Sequence, residues 1–280
     1  MTFIQKTNRY LVKILKYFSL ILATLIAFIP IVSCINTAMK SKEEYISTTI
    51  MELPSKLNFS NFYDAWERAN MGRAFMNTSI VLAFVLTGSI LIGSMLAYVL
   101  SRFVFHGNGF IRLLFLVAAL LPGVAMQVPT YKIMVSLGLI NSLPGYILVM
   151  MGTDVISIYI FIQFFENIPI SLDESAIMDG CTYFGVFFRI LFPLLKPAII
   201  TCMILKGVAT YNEYYMAHLY LQRKSLVTVA TSLYTFTGPL GNQYNMICAG
   251  VLISILPAFL IFVFCQKQIY SGLTSGAVKG

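Results

Sequence analysis

Charge is what this sequence has least of. Asp, Glu, Lys and Arg make up 11% of its 280 residues, against roughly a quarter in an ordinary soluble domain. With 58% hydrophobic residues and a mean hydropathy of +0.82, the chain has too little polar surface to coat a water-soluble globule. Lipid must be the solvent for most of it. Histidine is scarce too, with only His106 and His218. There is no HExxH, no histidine pair and no Ser/His/Asp set in the apolar runs, and no GxxxxGKS/T loop to cradle a nucleotide. These absences lead us to expect no catalytic residues, no metal and no cofactor in this chain. The cysteines Cys34, Cys181, Cys202, Cys248 and Cys265 are odd in number and lack CxxC spacing, which excludes a disulfide framework. They read as small packing residues.

The net charge of +8 does not point to nucleic acid, because the basic residues form no groove or module. They sit at the ends of apolar runs, as expected where cytoplasmic flanks meet anionic lipid. A spanning helix needs about 20 apolar residues. Six runs qualify: 17–39, 74–101, 113–131, 144–165, 197–221 and 246–266. They are continuously apolar rather than alternating, so helices rather than a barrel follow. The expected fold class is all-α integral membrane with six transmembrane helices. Lys6, Arg9, Lys13 and Lys16 precede the first run and favour a cytoplasmic N-terminus. An even number of spans then makes the C-terminus cytoplasmic too. Ile31-Val32-Ser33-Cys34 resembles a lipoprotein cleavage box, but the run is longer than a signal core and the first helix is expected to be retained. No internal repeat is evident, which suits a pathway built by pairing with a second chain rather than from two related halves.

The segment 166–196 is too long for a turn. Ser171-Leu172-Asp173-Glu174 reads as a capping box after Pro169. Gly180 interrupts the helix where only glycine allows close approach or positive φ. An apolar stretch from Phe184 to Phe192 follows, closed by Pro193 and Pro197. Glu174-Ser175-Ala176, Asp179-Gly180, Ile190 and Pro193 at this spacing resemble the EAA loop of ABC importer permeases. Ser175 stands where Ala is usual, and Phe192 where Leu is usual. The resemblance implies a type-1 permease fold. It also implies that this loop is a cytoplasmic coupling element docking into an ATP-binding subunit, with ATP and Mg held by that partner. The ending 272–280 looks like the closing signature of the maltose-type second permease subunit, whose tail reaches the ATPase dimer, here through Gly276, Lys279 and Gly280. Tyr211-Asn212-Glu213-Tyr214 is similar to an element of the same sugar-importer group.

The resemblance implies an organisation of 1–72 (N-terminus, first helix and outer loop), 73–268 (permease core) and 269–280 (cytoplasmic tail). It implies a plasma-membrane importer of a sugar or oligosaccharide working by ATP-driven alternating access. Its partners would be a second permease subunit, two cytoplasmic ATP-binding subunits and an extracytoplasmic solute-binding protein. The other reading is an ion-coupled secondary transporter with Asp154 and Glu213 as relay carboxylates.

Ionisable groups at bilayer depth are functional candidates. Lys206, Thr210 and Glu213 lie on one helical stripe facing the bundle interior or transport path, with Asn212 and Tyr214 beside it. Asp154 and Lys206 sit about 16 and about 13 Å up their runs, so we expect them in contact, either as a packing pair or in transport. Tyr211, Tyr214, Tyr215 and Tyr220 are placed either for an interfacial belt or for stacking on sugar rings.

Overall fold

A computed structural model describes residues 3–152, 154–238 and 242–277, the side chains of 3–11, 124, 265 and 267–277 excepted. In chain order its helices are α1 (Phe3–Ala38), α2 (Lys42–Ser47), α3 (Ser60–Arg68), α4 (Met71–Arg102), α5 (Asn108–Leu120), α6 (Gly123–Ser136), α7 (Leu143–Met151) and α8 (Val155–Glu166). Then come α9 (Ser171–Met178), α10 (Tyr183–Val186), a π-helical turn Phe187–Leu191, α11 (Phe192–Leu194), α12 (Lys196–Tyr211), α13 (Tyr215–Tyr220), α14 (Val229–Ser232) and α15 (Tyr244–Ala277). No strand occurs among the described residues.

Three of the six expected runs are single helices long and apolar enough to cross a membrane: Val12–Ala38 in α1, α4, and Tyr244–Phe264 in α15. The others are broken. The segments Asn108–Leu120 and Ala125–Ser136 bend by 102°, α7 and α8 by 49°, and Tyr183–Leu194 and α12 by 74°. Counting each bent pair as one span gives up to six. The breaks have local causes. Pro122 forces Leu121 out of the helical region, to φ −70°, ψ 128°. Between α7 and α8, Gly152 leaves the helical region and Asp154 caps the new helix. The 74° bend falls at Leu195, ahead of the run expected over 197–221, and that run itself ends at Tyr211, where Asn212 terminates α12.

The chain forms two compact units, residues 1–71 with 233–258, and 72–232 with 259–280. In the first, the polar side chains tie loops to helix ends. Asn36 donates to Ile50 O and Glu52 O, and Asn61 to Ala38 O and Lys40 O. Lys40 is buried, its ammonium bonded to Thr48 Oγ1 and Thr49 O. The most apolar stretch of α1 has no residue buried by its own chain, so lipid or another chain must cover it. The second unit holds two apolar clusters strung along α4. One contains Val81 and Val85 with Met134, Tyr146, Ala217, Tyr220 and Leu221. The other contains Ala97, Tyr98 and Leu100 with Phe161, Phe165, Phe187, Leu191 and Ala198. At Gly88 the flexible end of the Met151 side chain fills the space beside α4 that a Cβ would take.

Candidate functional site

The 166–196 segment is built as a helix with one anchored face. Ile170 already has helical φ and ψ (−65°, −23°), so the Glu174 N–H bonds to Ile170 O at 3.1 Å. The expected capping box is therefore absent: the donor that Ser171 would cap is already taken, and α9 begins one residue early. The far end is a Schellman closure. Gly180 N–H reaches Ile177 O and Cys181 N–H reaches Ala176 O, both at 2.9 Å. This requires a left-handed residue, and Gly180 has φ +84°. Nothing lies within 4 Å of where its Cβ would be, so the requirement is conformational rather than steric.

Only Asp173 and Ala176 of α9 face inward. Asp173 Oδ2 lies 2.9 Å from Arg102 Nε, both side chains less than a tenth exposed. The Nε–H is not aligned for a hydrogen bond and Asp173 Oδ1 has no donor, so this is a charge contact. Arg102 Nη2 also donates to Ile168 O at 2.9 Å. Burial raises the Asp173 carboxyl above its ordinary pKa, with Arg102 pulling the other way. A second pair joins Arg112 to Glu166 at 3.1 Å, and Arg112 also holds Leu100 O and Asn108 Oδ1. Arg102, Arg112, Glu166 and Asp173 were not singled out from sequence as a site. The available signal was two arginines and two carboxylates in loops assigned to one side of the membrane.

Outward face Glu174, Ser175, Asp179 and Gly180, all exposed, with Leu172, Met178 and Phe184 exposed beside them. Thr182 caps the next helix, accepting from Gly185 N–H. Phe187 is its hub, with ring centroids 5.4 Å from Tyr98, 4.9 Å from Phe188 and 5.7 Å from Phe192. Ile190 is half-buried against this cluster and Pro193 is exposed. The π turn ends two residues before Pro193, which lacks the N–H that a regular helix would use there. The seven coupling residues expected from sequence thus share one loop, in which Ala176 packs inward, Ile190 is half-buried and the others are exposed. At the chain end Gly276 lies in α15, while Lys279 and Gly280 lie outside the described residues.

The intramembrane polar residues do not assemble into a site. The expected Asp154–Lys206 contact is not formed: the ion pairs among the described residues are those of Arg102 and Arg112. Asp154 is occupied locally, accepting from Ser157 Oγ at 2.7 Å and from Ser157 N–H at 3.4 Å. Glu213 is likewise occupied, taking the Met216 N–H at 2.8 Å in the first turn of α13. Asn212 donates back to Val208 O. Thr210 is buried, its hydroxyl unpartnered. Tyr214 stacks on His218 at 5.5 Å, and Tyr220 is buried against Tyr131. Tyr215 instead lines a cleft of about 230 Å³ with Gln127, Val128, Tyr131, Lys132 and Leu219. No group of three or more potential metal ligands occurs among the described residues.

Residues 68–269 match the model of the binding-protein-dependent transport system inner membrane component family. The melibiose/raffinose/stachyose import permease protein MelC of Bacillus subtilis is 33% identical over 93% of this chain and 95% of its own length. The arabinooligosaccharides transport system permease protein AraQ of the same organism is 35% identical over 81% of each. Among solved structures, a chain of a bacterial ABC transporter that imports the acidic polysaccharide alginate superposes with a TM-score of 0.82 at 21% identity. The match covers 93% of this chain and 97% of that one.

Proposed function

Because the chain belongs to the family of binding-protein-dependent transport system inner membrane components, we propose that it is the permease half of an ABC importer for a carbohydrate. In this reading it lies in the plasma membrane with both termini cytoplasmic. It pairs with a second, homologous permease chain and receives its sugar from an extracytoplasmic solute-binding protein. Two ATP-binding subunits dock on the 166–196 loop and hydrolyse the ATP, so this chain carries no chemistry of its own. The tail near Gly276, Lys279 and Gly280 supplements that docking.

The observation that carries the reading is the two-sidedness of α9. One face is fixed to the membrane helices by a buried charge contact. The other leaves Leu172 and Met178 exposed, with Phe184 of α10 exposed beside them, which suits a cleft in a partner. A helix bound to its own chain on one side and open on the other can pass a displacement from one to the other. The sugar class is supported by the sugars that MelC and AraQ are named for. Asp154 and Glu213 each cap a helix, which leaves the ion-relay reading without a free carboxylate pair.

The test is extraction of the tagged chain in mild detergent and identification of co-purifying subunits, followed by uptake in proteoliposomes. We expect an ATPase and a second permease, the ATPase lost with Met178→Asp plus Phe184→Asp, and sugar uptake only with internal ATP. Recovery of the chain alone with uptake persisting without ATP would sink the reading.

A further inference from the structure

We propose that α4 is a strut that carries displacement of the docking helix to the opposite face of the permease, gripped by Arg102 at one end and by Asn77 and Thr78 at the other. The inference rests on the coupling role proposed above. Arg102, the last residue of α4, holds Asp173 in the docking helix and Ile168 O just before it. At the far end Asn77 Nδ2 donates to Ser225 O at 3.1 Å and Val227 O at 2.9 Å, while Thr78 Oγ1 accepts the Val229 N–H at 3.0 Å. All four side chains are buried, where polar contacts are strong and expensive to leave unmade. Neither grip is needed to form α4 itself, because the bonds go to segments remote in sequence.

Between the grips, Asn77 to Arg102 spans about 38 Å at 1.5 Å per residue. The helix has no proline and no break, whereas each of the bent pairs is bent by 49° or more. Both apolar clusters of the unit pack on it, so it moves with them as a rigid element. Rigid secondary elements, packed side chains and polar contacts are the parts through which coupling between distant sites is carried. Arg102, Asn77 and Thr78 are positioning residues here. They touch neither sugar nor nucleotide, and act through the docking helix and the 225–229 segment.

The experiment uses the purified whole complex in proteoliposomes with its co-purifying binding protein. The sugar is whichever of raffinose, stachyose and arabino-oligosaccharides gives the wild type its fastest uptake. ATP hydrolysis is measured with and without loaded binding protein. Arg102→Lys, which keeps the charge but loses the Nη2 bond to Ile168 O, and Asn77→Ala should each cut the stimulation by about tenfold. Basal hydrolysis and subunit recovery should stay at wild-type levels. The double variant should be no worse than either single one, since a strut cut once is already cut. Two local defects this far apart would multiply instead, and that result would overturn the proposal. So would a fall in recovery with unchanged stimulation in the surviving complex. Asp173→Asn with Thr78→Val repeats the cycle through different atoms if Arg102→Lys fails to assemble. A wild type without ATP-driven uptake overturns the coupling reading itself, and is distinct from multiplicative losses in a working importer.

Discussion

Charged side chains are used in opposite ways in two regions of this protein. In the 166–196 loop, Asp173 and Glu166 reach arginines on other helices, so charge joins elements distant in sequence. In the broken spans, Asp154 and Glu213 turn back on N–H groups three residues ahead, so charge only closes a helix end. The first use fixes tertiary geometry and the second local geometry. A carboxylate inside an apolar run is therefore not by itself a transport residue. A break in the helix supplies backbone donors that occupy it just as well.

The widest gap between the two regions should appear on truncation. Asp173→Ala leaves the Arg102 charge buried without a counter-ion, and breaking such a pair costs about 3 kcal/mol. We expect a clear fall in the thermal midpoint of the purified complex and new proteolysis within 166–182. Asp154→Ala removes only a cap and should cost about 1 kcal/mol. Equal shifts in the two variants would erase the distinction.

Gly180→Val should rank next. The Schellman closure needs φ near +84°, and holding a non-glycine residue there costs about 1–3 kcal/mol. Open space around the position means that no clash adds to this. Gly180→Asn, which tolerates the left-handed region, should recover most of the ATP-driven uptake lost in Gly180→Val. If the asparagine variant is as inactive as the valine one, bare backbone there is required for partner contact rather than for φ.

Function separates the regions where stability does not. Asp154→Asn and Glu213→Gln keep a side-chain oxygen for the cap and should leave ATP-driven uptake within about twofold, since asparagine caps as well as aspartate. A relay carboxylate would lose transport altogether in the same substitution. Acidification is a milder probe of the other region. Burial raises the Asp173 pKa in the folded state, so the ionised form is the penalised one. This residue's unfavourable contribution grows as pH rises through the unfolded and then the folded value, and is absent below both. Lowering the pH from 7 into the carboxylate range should therefore not loosen α9 through Asp173, as proteolysis of the loop at each pH would report. Increased cleavage in acid that Asp173→Asn abolishes would reverse that sign.

Much of the fold was legible because lipid demands continuous apolar helix, so the runs at 74–101 and 246–266 lie within α4 and α15. The breaks were less legible. Pro122 announces one by a local rule, but Gly152 with Asp154, and Asn212 with Glu213, are polar interruptions that an unbroken span could also carry. In the loop, the positions of Gly180 and Asp179 follow from helix termination, which is local chemistry. The grip of Arg102 on Asp173 is not local, since neither residue's own helical periodicity names its partner.

The smallest expected effect is also the most direct test of local against tertiary control. From sequence, Ser171 caps α9, and its removal would cost about 1 kcal/mol. In the structure Ile170 is already helical and its carbonyl holds the Glu174 N–H, leaving Ser171 an exposed first-turn residue. Ser171→Ala should then leave the thermal midpoint and the proteolysis of 166–182 unchanged, because alanine is the better helix former there. A loss the size of a cap would mean that α9 begins at Leu172, with Ser171 as its cap, once the ATPase is seated, and that docking, rather than the chain's own packing, sets where the helix starts.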